Sequence, residues 1–302
     1  MRNAPVSERA PVGVFAGLAT LDVIHRIARP PAVNEKITAT AQFVAAGGPA
    51  ANAAVTFAAL GGDATLVTAL GDDPVADLIR ADLTAHRVRV VDAAAGTRRP
   101  VPVSAVSVLE TTGERSVVSA DAVASDASPP EALDALVAGA DVVLVDGHHP
   151  LIARAAARLA AGQATTLVVD AGRWKPAMAD VIPCATDVVC SADFRTPEAT
   201  DSPSTAAALL DGGVPTVVIT HGADPVEWWS GGANGTVPVP AVAAVDTLGA
   251  GDAFHGAYAY YATTVTDVAA RTVRAARVAA LRCSMVGPRA WLSKLSGEQA
   301  RK

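Results

Sequence analysis

Short apolar runs alternate with alanine- and leucine-rich segments through most of this chain. The apolar runs have the length of strands and read VGVFAG, ATLVTAL, DVVLVDG, TTLVVDAG, TDVVCSA and PTVVIT. Between them lie segments with helical periodicity, such as DDPVADLIRADLTAH, PPEALDALVAG and HPLIARAAARLAAG. Runs without polar alternation are typical of buried parallel strands, which need helices to cross between them. The alternation therefore predicts an α/β fold, with helices on both faces of a parallel sheet.

Two segments break this alternation. Residues 22–45 carry β-branched residues around KITATAQFV, and residues 98–120 contain VPVSAVSVLETTGERSVVS, whose turn we place at Thr112-Gly113-Glu114. We expect these inserted strands to form a small lid or an interface. Two helices, at about residues 249–264 and 267–285, should close the chain. We expect a disordered tail at residues 1–10 and a single domain over residues 11–302.

Charge and cysteine content limit the class of protein. A formal net charge of −6 disfavours nucleic acid or an anionic membrane as the main partner. Cys184, Cys190 and Cys283 have no metal-ligand spacing and fit a reducing cytoplasm. Residues 12–21 are better interpreted as a buried strand than as a signal peptide. Residues 37–62 are too polar for a membrane helix. We expect a cytoplasmic protein without a membrane or nucleic-acid partner.

The stretch DTLGAGDAFHG, residues 246–256, places Gly249, Ala250 and Gly251 at the start of an apolar helix. Small residues there let an anion reach the first N–H groups, where the helix dipole favours negative charge. Asp252 would repel a phosphate but, ionised above its ordinary pKa of about 4, it could take the proton of an attacking hydroxyl. The alternative is that Asp252 only caps the helix. Neither a Walker motif nor a GxGxxG fingerprint after the first strand is present.

A second glycine pair lies upstream, in AAGGPAANAAVTFAALGG, and introduces a helix of small residues that carries Asn52. Alone, Asn52 is compatible with an ordinary cap or surface position. Together, GGPAANAAVTFAALG and DTLGAGDAFHG resemble the two signatures of the PfkB (ribokinase-like) carbohydrate kinase family. The likeness covers residues 12–293, and GGPAA, GERSVV, VLVDGHH and LRCSMVGPRA resemble its ketohexokinase and sulfofructose kinase branches.

The resemblance implies a three-layer α/β/α core with a small β-sheet lid, and ATP as donor with Mg²⁺. It implies transfer of the γ-phosphoryl group to a sugar hydroxyl, with Asp252 as base and Gly249, Ala250 and Gly251 as the anion hole. It further implies site residues of three kinds: sugar-binding Asp22, Gly47, Gly48 and Asn52; nucleotide-binding Thr220 and Gly222; and Asp246, beside a K⁺ site in members that have one.

The chain departs from the family pattern at three places. Leu248 stands where the family often has a second threonine, and Pro225 where a second glycine of the nucleotide loop is expected. The family's N-x-x-E element, which helps to order Mg²⁺, is represented by CSAD, in which only Asp193 is acidic. Asp193 is therefore the candidate for this role.

Other polar residues follow strands at the edge where open α/β sheets bind ligands. Asp146 and His148, with His149 beside them, are candidates for hydrogen bonds to the substrate. Arg173 and Lys175 could meet phosphates or belong to a solvated turn. Arg98, Arg99 and Arg115 flank the lid hairpin and are interpreted as a charged surface.

The leading hypothesis is an ATP-dependent sugar kinase that forms a homodimer through the exposed face of its lid. A nucleoside kinase is the alternative enzyme. It would need a larger apolar or aromatic acceptor pocket, and the lid region offers little beyond Phe43 and Phe57. A ligand-sensing relative with weak catalysis is the third hypothesis. The intact GAGD stretch disfavours it, whereas CSAD and Pro225 favour it.

Overall fold

A large nine-stranded sheet and a separate four-stranded sheet form the β-structure of this chain. The computed structural model describes residues 9–122 and 125–299; most of the expected N-terminal tail, residues 1–8, lies outside the described residues. The large sheet contains β1 Val12–Ala16, β4 Asp63–Thr68, β5 Val88–Asp92, β8 Val142–Val145, β9 Thr166–Ala171, β10 Asp187–Cys190, β11 Thr216–His221, β12 Asp224–Ser230 and β13 Ala233–Val237. Their order is β13-β12-β11-β10-β9-β8-β1-β4-β5, and the seven strands from β11 to β5 are parallel.

Helices cover both faces of the large sheet. One face carries α1 Pro49–Ala59, α2 Pro74–Ala85, α7 Ala250–Ala262, α8 Val268–Cys283 and α9 Leu292–Gln299. The other face carries α3 Leu133–Ala138, α4 Pro150–Gly162, α5 Met178–Val181 with the 3₁₀ turn Ile182–Cys184, and α6 Ser202–Asp211. This is the three-layer α/β/α architecture that the sequence predicted. Within the described residues, no helix has the length and apolarity needed to cross a bilayer.

The continuous apolar runs follow from this burial on both faces. In β1, Phe15 packs into the core beneath α1 and α7, while its neighbour Val14 packs into the core beneath α4. Successive strand residues point to opposite faces, so a strand covered by helices on both sides has no face turned to solvent and is mostly apolar. All six apolar runs named above form strands of this sheet, as predicted.

The smaller sheet is the predicted lid. It contains β2 Thr20–Ile27, β3 Ala41–Gly47, β6 Val103–Leu109 and β7 Arg115–Ser119, in the order β3-β2-β6-β7. The β6–β7 hairpin turns at Gly113, whose φ is 69°. The inner face of this four-stranded sheet buries Ile24, Val106 and Val108 against Leu248, which belongs to the segment before α7.

The helices α1 and α7 pack unusually closely. A Cβ added to Gly256 of α7 would lie 2.3 Å from the carbonyl oxygen of Ala53 and 2.8 Å from Cβ of Thr56, both in α1. Glycine is therefore needed at this crossing, because any side chain would push the two helices apart.

We expect Gly256→Ala to destabilise the protein, since overpacking a well-packed core costs about 1–3 kcal/mol. The melting temperature should fall by at least about 3 °C, measured by thermal denaturation. The matched control is Gly162→Ala in α4, where an added Cβ meets nothing within 4 Å. Equal melting temperatures of the two variants would contradict the close-packing argument.

Candidate active site

The anion-binding feature predicted for GAGD lies at the beginning of α7. Gly249 is the residue before the helix and has φ 70°, a left-handed conformation that glycine adopts without strain. Among the described residues, no side chain caps this helix start. Asp252 lies in the first turn and is half-buried. A helix start of this kind, formed by small residues, suits a phosphate group.

Asn52 of α1 lies directly beside Asp252. Its Nδ2 donates to Oδ2 of Asp252 over 2.8 Å, and its Oδ1 accepts from Nη1 of Arg289 over 3.1 Å. A guanidinium group only donates and a carboxylate only accepts, so these two neighbours determine which way the amide points. Asn52 is thus a hydrogen-bonding bridge between Arg289 and Asp252, as well as the predicted sugar ligand.

Arg289 is itself held in place by two partners. Its Nη2 lies 2.9 Å from Oδ2 of Asp82 in α2 and 2.6 Å from the carbonyl oxygen of Ala46 in β3. Arg289 and Asp82 were not predicted from the sequence, because they are 207 positions apart and belong to no recognised motif. Arg289 lies in the stretch LRCSMVGPRA, whose resemblance to two branches of the family was the signal for it.

Asp22 of β2 completes this group of side chains. It is buried and accepts from the Thr20 hydroxyl over 2.7 Å. Burial raises the pKa of the Asp22 carboxyl, the charge of Asp252 adds to this, and hydrogen bonds from Thr20 and Ser104 oppose it. The carboxyl therefore binds protons more readily than an exposed aspartate, which fits a hydrogen-bonding role better than a second catalytic base.

The glycine pair beside Asp22 has a steric explanation. A Cβ at Gly47 would lie 2.1 Å from the Asp22 carboxyl carbon, and one at Gly48 would lie 2.4 Å from the carbonyl oxygen of Leu18. Gly48 also has φ 94°. Because these two residues have no side chain, the Asp22 carboxyl and the β1–β2 connection can lie directly against the start of α1. The structure thus places Asp22, Gly47, Gly48 and Asn52 close together.

An open cleft lies between the lid and the starts of α1 and α7. Its lining combines polar and apolar side chains: Asp22, Ala46, Asn52, Thr56, Leu248, Gly249, Arg282, Pro288, Arg289 and Trp291. The hydrogen-bonding groups are dense enough to suit a molecule with several hydroxyl groups.

The predicted nucleotide residues lie at the ends of β10 and β11. Thr220 donates its hydroxyl proton to the carbonyl oxygen of Cys190 over 3.3 Å, and Gly222 lies in the following turn with φ 66°. Pro225 lies within β12 and not in the turn, so it leaves the conformation of Gly222 unchanged. Asp193 is exposed just after β10.

Asp146, predicted to hydrogen-bond the substrate, makes structural contacts within the chain. Its carboxylate is 1% exposed and accepts from the backbone N–H groups of Leu18, Ala50 and His148 at 2.9, 3.2 and 2.9 Å. Burial alone would raise its pKa, but the charges of His148 and Lys175 and the N–H donors hold the pKa well below its ordinary value. The carboxylate therefore fastens the β1–β2 connection to α1 beneath the cleft, with both oxygens in use.

His148 and Lys175 belong to the same buried group. His148 Nδ1 lies 3.2 Å from Oδ1 of Asp146, and Lys175 Nζ donates to the carbonyl oxygen of Asp146 over 2.8 Å. His148 and Lys175 are 5% and 4% exposed. In this structure Asp146, His148 and Lys175 contact one another, and their predicted contacts with substrate or phosphates stay predictions. Arg173 pairs with Asp121.

Asp246 also differs from its predicted role beside a K⁺ site. Its Oδ1 accepts from the N–H of Leu248 over 3.1 Å and lies 3.1 Å from Nη2 of Arg282, while Oδ2 accepts from the N–H of Gly287 over 2.9 Å. The carboxylate already has a cationic partner and two N–H donors. The residues present do not fit a monovalent cation at this carboxylate.

The similarity to known proteins agrees with this geometry. Over 264 residues the chain is 31% identical to an ATP-dependent ribose-1-phosphate kinase of Halopiger xanaduensis, covering 83% of this chain and 84% of that protein. It is 28% identical over 290 residues to the ribokinase of Mus musculus, covering 84% and 82% of the two chains. The structure of Arabidopsis thaliana ribokinase with ribose and ATP shares the fold, with a TM-score of 0.75 and 23% identity over 95% of this chain and 99% of that chain.

A ribokinase-like α/β core, a small lid sheet and an Asp-bearing helix start beside a polar cleft define a carbohydrate kinase. Residues 14–294 match the pfkB family of carbohydrate kinases. The chain belongs to this family, and it is therefore a phosphotransferase with an alcohol group as acceptor.

We expect Arg289→Met to impair the acceptor site, because Asp82 loses its cation and the Asn52 amide loses its orientation. Buried hydrogen bonds to charged groups are each worth about 1.5–3 kcal/mol, so the KM for the acceptor should rise at least about tenfold. The kcat should fall as well, while the KM for the nucleotide stays within about twofold. Steady-state kinetics with both substrates measure this, and Lys294→Met, an exposed cation of α9, is the control. Unchanged acceptor kinetics would show that Arg289 does not orient Asn52.

Proposed function

We propose that this chain transfers the γ-phosphoryl group of ATP to a hydroxyl group of a sugar or sugar derivative. The observation that carries the proposal is the position of Asp252. Its carboxylate lies in the first turn of α7, 2.8 Å from the Asn52 amide. A proton acceptor and an anion-binding helix start therefore lie next to each other at one side of a cleft for a polar molecule.

The proposed roles follow from this arrangement. The amides at Gly249, Ala250 and Gly251 hold the negative charge of the transferred phosphoryl group, which is the main catalytic contribution in phosphoryl transfer. Asp252 accepts the proton of the attacking hydroxyl. Asn52 orients both that hydroxyl and the carboxylate, and Asp22 binds further hydroxyl groups of the acceptor.

The nucleotide would lie along the ends of β10 and β11. Thr220 and Gly222 are proposed to contact it, because both lie at the carboxyl ends of parallel strands, where open α/β sheets bind ligands. In the described part of the chain, no group of three His, Cys, Asp or Glu side chains is placed to hold a metal. Mg²⁺ would bind with the ATP phosphates, and the exposed Asp193 is the acidic residue proposed to help hold it. Bound there, the ion would neutralise phosphate charge.

The cleft favours a sugar over a nucleoside acceptor. Trp291 is its one aromatic lining residue, and Asp22, Asn52 and Arg289 contribute polar groups from three different elements. Two of the similar proteins are named for ribose and ribose 1-phosphate, so pentoses and pentose phosphates are the first acceptors to test. A ligand-sensing relative is disfavoured, because Pro225 lies in a strand and Gly222 keeps its turn conformation.

A coupled assay of ADP release tests the proposed function directly. The panel should contain ribose, ribose 1-phosphate, fructose and other hexoses, and nucleosides, each with ATP and Mg²⁺. We expect turnover with at least one sugar or sugar phosphate. Turnover with nucleosides alone would favour the nucleoside kinase, and ligand binding without any turnover would favour the sensor.

We expect Asp252→Asn to lower kcat by at least about a hundredfold, because a general base contributes about 10²–10⁴-fold and asparagine cannot accept the proton. Asp252 does not cap α7, and asparagine has nearly the size of aspartate, so folding and the KM for ATP should change little. The matched control is Asp267→Asn, where the aspartate caps α8 through the N–H of Ala270 over 2.7 Å. If Asp252→Asn turned over like this control, the base mechanism would be wrong.

We further propose that the protein is a homodimer joined through its lid. Val44, Val23, Ala105 and Val118 lie opposite one another on successive strands, so they form one apolar row on the outer face of the small sheet. Val44 and Val118 are 52% and 77% exposed. An apolar row of this length at the centre of an uncovered sheet face is typical of an interface.

Light scattering at micromolar concentration should give twice the chain mass of 30.4 kDa. Val118→Glu should convert the dimer to a monomer, because it would bury a charge at the interface. Leu78→Glu, on the exposed side of α2 in the core domain, should leave the mass unchanged. A wild-type monomer would exclude the lid dimer.

A further inference from the structure

One ion pair lies buried directly beneath the segment that leads into the anion hole. Asp246 and Arg282 are each 2% exposed, and Asp246 Oδ1 lies 3.1 Å from Nη2 of Arg282. Arginine stays protonated in proteins, so a permanent positive charge sits at this place. The pair links the residue three positions before Gly249 to the last turn of α8.

Arg282 reaches the oxygen atoms that a bound cation would otherwise need. Besides the Asp246 carboxylate, its Nη1 lies 3.1 Å from the carbonyl oxygen of Met285 and 3.4 Å from that of Asp246 itself. Carboxylate and carbonyl oxygens are the ligands of hard cations. The end of a helix also favours positive charge, because its last carbonyl groups point there.

The same segment is fastened to α8 along its backbone. The N–H groups of Val245 and Asp246 both donate to the carbonyl oxygen of Cys283, over 2.9 and 3.3 Å. From Asp246 the chain runs through Leu248 to Gly249, the residue directly before α7. The position of the anion-binding amides therefore depends on how firmly Asp246 is held.

We propose that Arg282 acts as an internal cation, a positioning residue that holds the Asp246–Gly249 segment in place, so that this kinase needs no monovalent metal ion. The guanidinium supplies in the chain itself the charge that K⁺ supplies in family members with a cation site. This inference rests on the proposed kinase function for its catalytic consequence, but its structural part stands without it.

The wild-type chain should work equally well in any monovalent salt. ADP release is measured with the acceptor found in the panel, in KCl, NaCl or tetramethylammonium chloride at equal ionic strength. We expect the three rates to agree within about twofold, since only the two metal ions are small enough to enter a carbonyl-lined site. A rate more than tenfold lower in tetramethylammonium chloride would overturn the proposal.

A variant without the Arg282 guanidinium should need an added cation for full activity. Arg282→Ala leaves a buried carboxylate without its cation, and kcat should fall at least tenfold in tetramethylammonium chloride. Added K⁺ or guanidinium ion, at millimolar concentration, should restore part of the rate, whereas tetramethylammonium should not. Loss of activity without any such rescue would assign Arg282 a purely structural role and overturn the proposal.

Two further variants separate charge from folding. Arg277→Ala removes an exposed arginine of the same helix and should behave like the wild type in every salt. Arg282→Ala combined with Asp246→Asn removes both charges, and this double variant should fold and lose its response to K⁺ and guanidinium. A double variant that still responds would place the cation effect elsewhere.

Thermal melting gives a readout that does not depend on activity. The melting temperature of Arg282→Ala should rise with K⁺ or guanidinium relative to tetramethylammonium at equal ionic strength, and that of the wild type should not. If the wild type phosphorylates no acceptor, the proposed function fails while this measurement still decides the role of Arg282. An Arg282→Ala melting temperature that is equal in all salts would contradict the internal cation.

Discussion

The close packing of α1 on α7 is the constraint on which the site depends. Gly256 lets the α7 backbone approach Ala53 of α1 until no Cβ would fit between them. That contact brings Asn52 and Asp252, 200 positions apart, to 2.8 Å. Both helices begin after a glycine with positive φ, so their starts lie side by side without a bulky residue between them. The contact between Asn52 and Asp252 is therefore a consequence of packing between small residues.

The carboxylates around the site differ in the partners that hold them. Asp82 pairs with Arg289 and Asp246 with Arg282, while Asp146 accepts from three backbone N–H groups. The partner that the structure gives Asp252 is the neutral amide of Asn52. This contact fixes the position of the carboxylate for which we propose the role of base.

The sequence predicted those strands whose burial in the fold leaves a recognisable apolar run in the sequence. Strands β1, β4, β8, β9, β10 and β11 are buried on both faces, so they appear as apolar runs. The antiparallel β12 and β13 lie at the edge, carry polar residues such as Glu227 and Asn234, and gave no such signal.

In the site too, only the residues that belong to local sequence motifs could be predicted. Asp22, Asn52 and Asp252 belong to motifs with a recognisable spacing. Arg282 and Arg289 do not, because an arginine is an ordinary surface residue until the fold places a carboxylate beside it. Asp146 shows the opposite case. It lies at the expected sheet edge, but its hydrogen bonds to the Leu18 and Ala50 backbone depend on a tertiary contact that no local pattern records.

The departure from the family pattern at Leu248 follows from the construction of the lid. On its inner face the lid sheet buries Ile24, Val106 and Val108 in one small cluster, and Leu248, from the segment before α7, supplies a further apolar partner. A threonine at this position would bring a hydroxyl group into an apolar cluster.

Two polar contacts join the same elements. Thr247 donates through its N–H and its hydroxyl to the carbonyl oxygen of Gly113 in the lid turn, both over 2.9 Å. Arg26 of β2 donates to the carbonyl oxygen of Val245 over 2.8 Å. A Cβ on Gly113 would lie 2.7 Å from the backbone nitrogen of Asp246, so the turn lies directly against this segment. Because residues 245–248 also lead into Gly249, the contacts that hold the lid in place hold the anion-binding helix start as well.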